Sequence, residues 1–272
     1  MRLVRVPLIH LSVFFLLMFA EVAGASLQVF PLRVVLSEKE RTAQLTLRHT
    51  GDKPKSYRIS TVFYRMDETG AMTRISEISP DERPAIDFFR FSPRQVKLTP
   101  QVEQTVRLVL RQPAGLQEGD YRAHIYFEET EDVVADEGMS EDKKANFVLK
   151  ARVAVAVPVI VRVGQPRTKV KLGVPKLIYD AEGKQVLKFD LLQEGKAYAY
   201  GDFVAKVPAR AGKPERSVGL MLGVSSYRAK REVRFPLKEK FDGGPIRLEY
   251  LESHGEGSPA VLAEFEGEVA AQ

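Results

Sequence analysis

Few residues in this chain could do chemistry, and they are scattered. Histidine suits proton transfer near neutral pH because its unperturbed pKa is about 6.5. Beyond the first twenty residues only His49, His124 and His254 occur, far apart and without the short spacings of metal-ligand pairs. There is no cysteine, which removes disulfides, thiolate zinc sites, iron–sulfur clusters and cysteine nucleophiles together. No G-x-S-x-G, H-E-x-x-H, Walker or dinucleotide-type glycine pattern is present. Tyr200, Asp202 and Lys206 can be drawn as a site on paper, as can many other triples. The chain therefore reads as a protein that is not an enzyme and has no cofactor, metal or small-molecule substrate. Lys169-Val-Lys171 and Arg228-Ala-Lys230-Arg231 are basic but lack aromatic stacking platforms, so they read as solvated strand faces rather than a nucleic-acid site.

The elements that must position any site are strands. The chain has 272 residues, 44% hydrophobic and 28% charged, with 41 Lys+Arg against 36 Asp+Glu. That composition supports packed cores, and that length suits two domains better than one. Short β-prone runs cover 27–30, 33–36, 42–47, 57–66, 88–91, 95–98, 104–110 and 121–128, broken by turn-like stretches such as Thr50-Gly51-Asp52-Lys53-Pro54. In 57–66, Tyr57, Ile59, Thr61, Phe63 and Arg65 fall on one parity. Gly164-Gln165-Pro166 reads as a linker, after which strands recur at 185–192, 218–222, 231–237 and 246–251. The expectation is all-β: an N-terminal sandwich over 26–163 and a C-terminal one over 167–272, each of immunoglobulin-like size. The acidic stretch Glu129 to Lys144 reads as a long loop.

Residues 1–25 read as a secretory signal, with Arg2 and Arg5 before a short apolar run and Ala23-Gly24-Ala25 as the cleavage pattern. The apolar run is short for a span of about 20 residues. The mature chain is thus expected outside the cytoplasm.

The run from Ala145 to Val163 differs from the other strands. Phe147, Leu149, Ala151, Val153, Val155, Val157, Val159 and Val161 fill one parity without a polar residue. At about 3.3 Å per residue it could reach roughly 60 Å, longer than one small sandwich needs. Two readings fit. It is a central strand that bends at Pro158 into a second sheet, or an edge strand whose surplus apolar face serves a partner.

Four stretches together resemble the periplasmic chaperones of the chaperone–usher pathway, in their archaic (alternative) branch. They are Pro31 to Leu36, where an Arg precedes an apolar triplet, and Phe91 to Arg107 with its apolar–Pro–x–x–apolar–x–Leu–x–Pro pattern. The others are Gly119-Asp120-Tyr121-Arg122-Ala123-His124-Ile125-Tyr126-Phe127, similar to the branch's G-E-Y-R-S-H-L-L-F, and Gly223 to Leu237. The resemblance implies two immunoglobulin-like sandwiches joined at an angle around a cleft. It also implies periplasmic location, a pilus or fimbrial subunit as client, and delivery to an outer-membrane usher. In such chaperones the last strand of the first domain completes the client, which places Phe147, Leu149, Ala151, Val153 and Val155 as the groove-filling positions. A cation of the first strand and a Lys of the donor strand grip the client's C-terminal carboxylate. Arg33 matches the first; the second falls on Pro158 or Val157, so Arg122, Arg152 and Lys150 are the substitutes. A free chaperone with a naked donor edge is also open to self-capping as a dimer. The competing readings are an exposed strand Arg at Arg33, a sandwich-end pair at Arg122 and His124, and, for the whole chain, a two-domain adhesin or structural protein without a client.

Overall fold

The computed structural model describes residues 27–130, 154–210, 212, 214–253 and 259–270. The signal reading of 1–25 and the positions Phe147, Leu149, Lys150, Ala151, Arg152 and Val153 lie outside the described residues, as does most of the acidic stretch.

The protein is all-β and forms two sandwiches. In the first, β1 (Leu27–Phe30), β3 (Thr42–His49), β8 (Glu103–Leu110) and β6 (Phe89–Ser92) lie side by side in that order. The facing sheet runs β2 (Val34–Ser37), β10 (Ala154–Val163), β9 (Gly119–Thr130), β4 (Lys55–Met66) and β5 (Met72–Ile75), with β7 (Gln95–Leu98) also on β4. This is the strand order of an immunoglobulin sandwich, with the first strand split between the two sheets. Alternation explains the layers. In β8, Val106, Leu108 and Leu110 point inward and are at most 1% exposed, while Arg107 and Val109 point to solvent. In β10, Val157, Val159 and Val161 enter the same core, joining Leu36, Leu45 and Phe127.

The second sandwich pairs β13 (Gln185–Gly195) with β16 (Lys230–Pro236) on one side and β11 (Thr168–Leu172) and β12 (Lys176–Tyr179) on the other. Its facing sheet runs β15 (Arg216–Ser226), β14 (Ala199–Val207), β17 (Gly244–Glu252) and β18 (Val261–Val269). Its core is separate from the first. At its centre Phe203 stacks on Tyr250, with ring centroids 4.4 Å apart.

Two expectations are corrected. Glu129 and Thr130 belong to β9 rather than to a loop. β4 starts at Lys55, so it offers both a ladder and a counter-charge: Lys55 pairs with Glu129 at 2.7 Å, and Thr130 Oγ1 donates to the Ser56 carbonyl. The alternation in β4 also fails after Thr61, where Val62, Phe63 and Met66 are all buried. The second sandwich packs against that end of the strand. Arg228 Nη1 donates to the Met66 carbonyl, and the Glu232 N–H donates to the Glu68 carbonyl at 2.6 Å.

β10 does not bend away at Pro158. It pairs with β9 along its whole described length, whereas β2 pairs with it, in parallel, only from Val159 to Arg162. From Ala154 to Pro158 the strand thus has one neighbouring strand among the described residues. A proline is tolerated in a strand where its missing N–H faces no ladder partner.

Candidate functional site

The cleft between the sandwiches is built where β9 and β10 turn their even-numbered side chains away from the first core. At its base Asp120 is fully buried and accepts two bonds from Arg162, from Nε at 2.8 Å and Nη2 at 2.9 Å. The two residues sit opposite one another in the β9–β10 register. The same carboxylate accepts the Tyr198 N–H at 2.9 Å, and the Asp120 N–H donates to the Lys196 carbonyl at 2.9 Å. One aspartate therefore ties both sandwiches together. The bond from Asp120 holds the Arg162 guanidinium above its usual pKa, against its own burial. Beside it Gly119 has φ +147°, a backbone conformation that suits glycine and strains other residues.

Two residues along β9 from Asp120, Arg122 is 3% exposed. Its Nη2 donates to the Tyr64 carbonyl at 2.9 Å, while Nε and Nη1 are buried without a partner. Its guanidinium carbon stands 3.8 Å from the centroid of Tyr227, 4.8 Å from Phe63 and 5.8 Å from Tyr198. Burial lowers its pKa, and Tyr227 and Tyr198 pull the other way. Arg122 lines a concavity of about 680 Å³ with Arg65, Glu82, Tyr198 and Tyr227. Glu82 is already neutralised by a two-bond pair with Arg65, 2.7 Å for each bond.

Arg33 immediately precedes β2. Its guanidinium carbon lies 4.3 Å from the Tyr200 ring centroid and its Nε is buried without a partner. Burial lowers its pKa; Tyr227 and Asp120 oppose the shift and Arg162 adds to it. Arg33, just before β2, and Arg122, on β9, thus come from different parts of the first sandwich, yet each rests on a ring of the second sandwich, and Tyr227 acts on both.

On the far side of Arg122, His124 packs edge-on to Tyr64 with centroids 5.1 Å apart. It lines a second, apolar concavity of about 390 Å³ with Ala154, Ala156, Pro158, Met221 and Leu222. This concavity runs along the open half of β10. Burial, aided by Arg122, lowers the His124 pKa to about 3, so His124 stays neutral and is no sensor at neutral pH. Val155, on the opposite face, is half-buried against the edge of the first core.

Tyr200, Asp202 and Lys206 do not form a site. Tyr200 lies under Arg33, Asp202 accepts from the Gly223 N–H and the Ser253 hydroxyl, and Lys206 pairs with Glu249 at 2.8 Å. Among the described residues no His, Asp or Glu cluster could hold a metal. The sequence reading missed Asp120, Arg162, Tyr198 and Tyr227 as parts of the cleft. Aligning β9 against β10 places Asp120 opposite Arg162, a signal that was available; no sequence pattern marks the two tyrosines.

No family model matches the chain, and no curated protein matches it. Among solved structures, the YadV chaperone matches over 90% of this chain and 100% of its own, with TM-score 0.45 and 10% identity. The E. coli chaperone DraB matches over 89% and 98%, with TM-score 0.43 and 12% identity. A chain of the CsuC–CsuE chaperone–tip adhesion subunit complex from the archaic Csu pili of Acinetobacter baumannii matches over 90% and 99%, with TM-score 0.42 and 12% identity. What this chain can do is decided by its own strands and cleft.

Proposed function

We propose that this protein is a periplasmic chaperone that holds a pilus or fimbrial subunit by lending it the strand that ends in β10 and hands it to an outer-membrane usher. The observation that carries this reading is the half-open strand. Ala154 to Pro158 have β9 on one side and no strand on the other among the described residues, and the all-apolar parity of Phe147 to Val161 runs into that half. A sandwich missing a strand exposes an apolar groove and unpaired N–H and C=O groups; an added strand satisfies the backbone while alternate side chains fill the groove. Phe147, Leu149, Ala151 and Val153 are the filling positions, with Val155 where the run enters the chaperone's own core. Arg122, buried, and Arg33, half-buried, each with a buried donor short of an acceptor, are the cations for the subunit's C-terminal carboxylate; Lys150 and Arg152 are the reserve. The 1–25 segment supplies export.

The test is co-expression with a small β-rich subunit encoded in a neighbouring reading frame. The pair co-purifies, the subunit aggregates when expressed alone, and Val153→Asp releases it while the chaperone still folds. A subunit that is stable alone, or is retained by Val153→Asp, would favour a two-domain adhesin instead.

A further inference from the structure

Both proposed anchor arginines are built from two sandwiches, not one. Each guanidinium comes from the first sandwich and each ring beneath it from the second: Tyr200 for Arg33 at 4.3 Å, Tyr227 for Arg122 at 3.8 Å. At 3.8 Å between the guanidinium carbon and the ring centroid, the cation is in contact with the face of the Tyr227 ring. The N–H donors of a guanidinium lie in its plane. For Arg122 one of those donors is used, by the Tyr64 carbonyl, and Nε and Nη1 wait in a desolvated wall. A buried polar group without a partner is costly. A planar acceptor with two oxygens and a negative charge answers that cost, whereas a neutral amide answers it poorly.

We propose that Tyr227, and Tyr200 in the same manner, are positioning residues of the second sandwich that fix the anchor arginines so that the cleft recognises a terminal carboxylate in preference to an amide. This rests on the anchor reading above and adds to it that the anchor is incomplete without the second sandwich. It gives that sandwich a role in binding, through Tyr227 in the turn between β15 and β16 and Tyr200 on β14. Tyr198 stands edge-on to Tyr227, centroids 5.0 Å apart, and buttresses it from the turn before β14. Burial holds the Tyr198 hydroxyl up at about 12, so it remains a neutral wall.

The experiment uses the mature protein with ¹⁵N-labelled arginine and two probes, N-acetyl-glycyl-phenylalanine as the free acid and as its amide. The readout is the Nε–H resonances of Arg122 and Arg33. In the wild type the free acid moves both resonances saturably, and the amide binds more weakly. Tyr227→Leu weakens free-acid binding by about thirtyfold, the scale of a desolvated cation–π contact, and leaves the amide unchanged, while Tyr227→Phe, which keeps the face, restores the preference. Tyr200→Leu does the same at Arg33. If Tyr227→Leu fails to fold, Tyr227→Met supplies apolar bulk without a π face and serves in its place. Equal binding of acid and amide by the wild type overturns the anchor reading itself. A wild-type preference that survives intact in the Leu or Met variant overturns the positioning role alone.

Discussion

Asp120 and Arg162 are joined by two bonds, at 2.8 and 2.9 Å, with the aspartate fully buried and part of the arginine side chain (36%) in water. The pair links β9 to β10 and, through the Tyr198 N–H, the first sandwich to the second. Breaking a buried pair from one side strands the other partner, at a cost of about 3–5 kcal/mol; the part-exposed Arg162 puts this case at the low end. Asp120→Ala is expected to lower stability by about 3 kcal/mol and to loosen the two sandwiches. Chemical denaturation measures the first effect and small-angle scattering the second, as a larger radius of gyration. An unchanged radius would mean that the remaining contacts, Glu68–Glu232, Met66–Arg228, Arg33–Tyr200 and Arg122–Tyr227 among them, hold the sandwiches together without the Asp120 carboxylate.

Arg33→Ala removes a cation whose direct contact in the structure is the Tyr200 ring. The fold should lose little. Subunit capture should fall by about ten- to a hundredfold, the scale of a hydrogen bond to a charged group. Surface-immobilised subunit and the purified variant measure it. Capture at the wild-type level would sink Arg33 as an anchor.

The layers were legible in the sequence where one side of a strand faces solvent. β7 was read at its observed bounds, and β3, β8 and β13 to within a few residues, because Val106, Leu108 and Leu110 alternate cleanly with polar neighbours. β5 was missed because its four residues, Met-Thr-Arg-Ile, have no buried member to set a pattern. β14 was missed for a different reason. Its outward parity, Tyr200, Asp202, Val204 and Lys206, is polar enough to suggest a site, while its inward Ala199, Gly201, Phe203 and Ala205 are mostly small. The cleft was half legible. Arg33 and Arg122 stand out by local context, but their partners Tyr200 and Tyr227 come from the other sandwich, and contacts between domains leave no periodic trace in either strand. The burial of Met66 at the end of β4 has the same origin, since Arg228 of the second sandwich donates to its carbonyl.

His124 makes acid stability testable. Its pKa is about 6.5 unfolded and about 3 folded. Between those values the unfolded chain binds a proton that the folded one refuses, so acid favours unfolding. The stability that the neutral, buried His124 leaves intact is therefore fully present above pH 6.5 and is lost as pH falls toward 3, by up to about 4–5 kcal/mol. Burial of the ring keeps the site closed to the proton, and Arg122 opposes the added charge. His124→Gln should flatten this part of the curve, measured as the difference in urea midpoint between wild type and variant at pH 7, 5 and 4. Parallel curves would show that His124 does not govern acid loss and that carboxylates such as Glu82, lowered by Arg65, account for it.

The second sandwich depends on one aromatic stack. Tyr250 lies against Phe203 with an interplanar angle of 19° and donates its hydroxyl to the Val224 carbonyl at 2.7 Å; Phe189 meets Phe203 edge-on. Burial raises the Tyr250 pKa, which keeps that hydroxyl a donor. Tyr250→Phe leaves the stack and strands a buried carbonyl, an expected loss of about 1–3 kcal/mol. Phe203→Ala removes the centre of the core and should cost about 3–5 kcal/mol. Because the two cores are separate clusters, amide hydrogen exchange should quicken in β14 and β17 and stay slow in β4 and β9 for the Tyr250→Phe protein. Equal quickening in both sandwiches would mean that the cleft contacts couple the two cores into one folding unit. The Asp120→Ala protein would then have to lose that coupling and protect β4 and β9 again when combined with Tyr250→Phe.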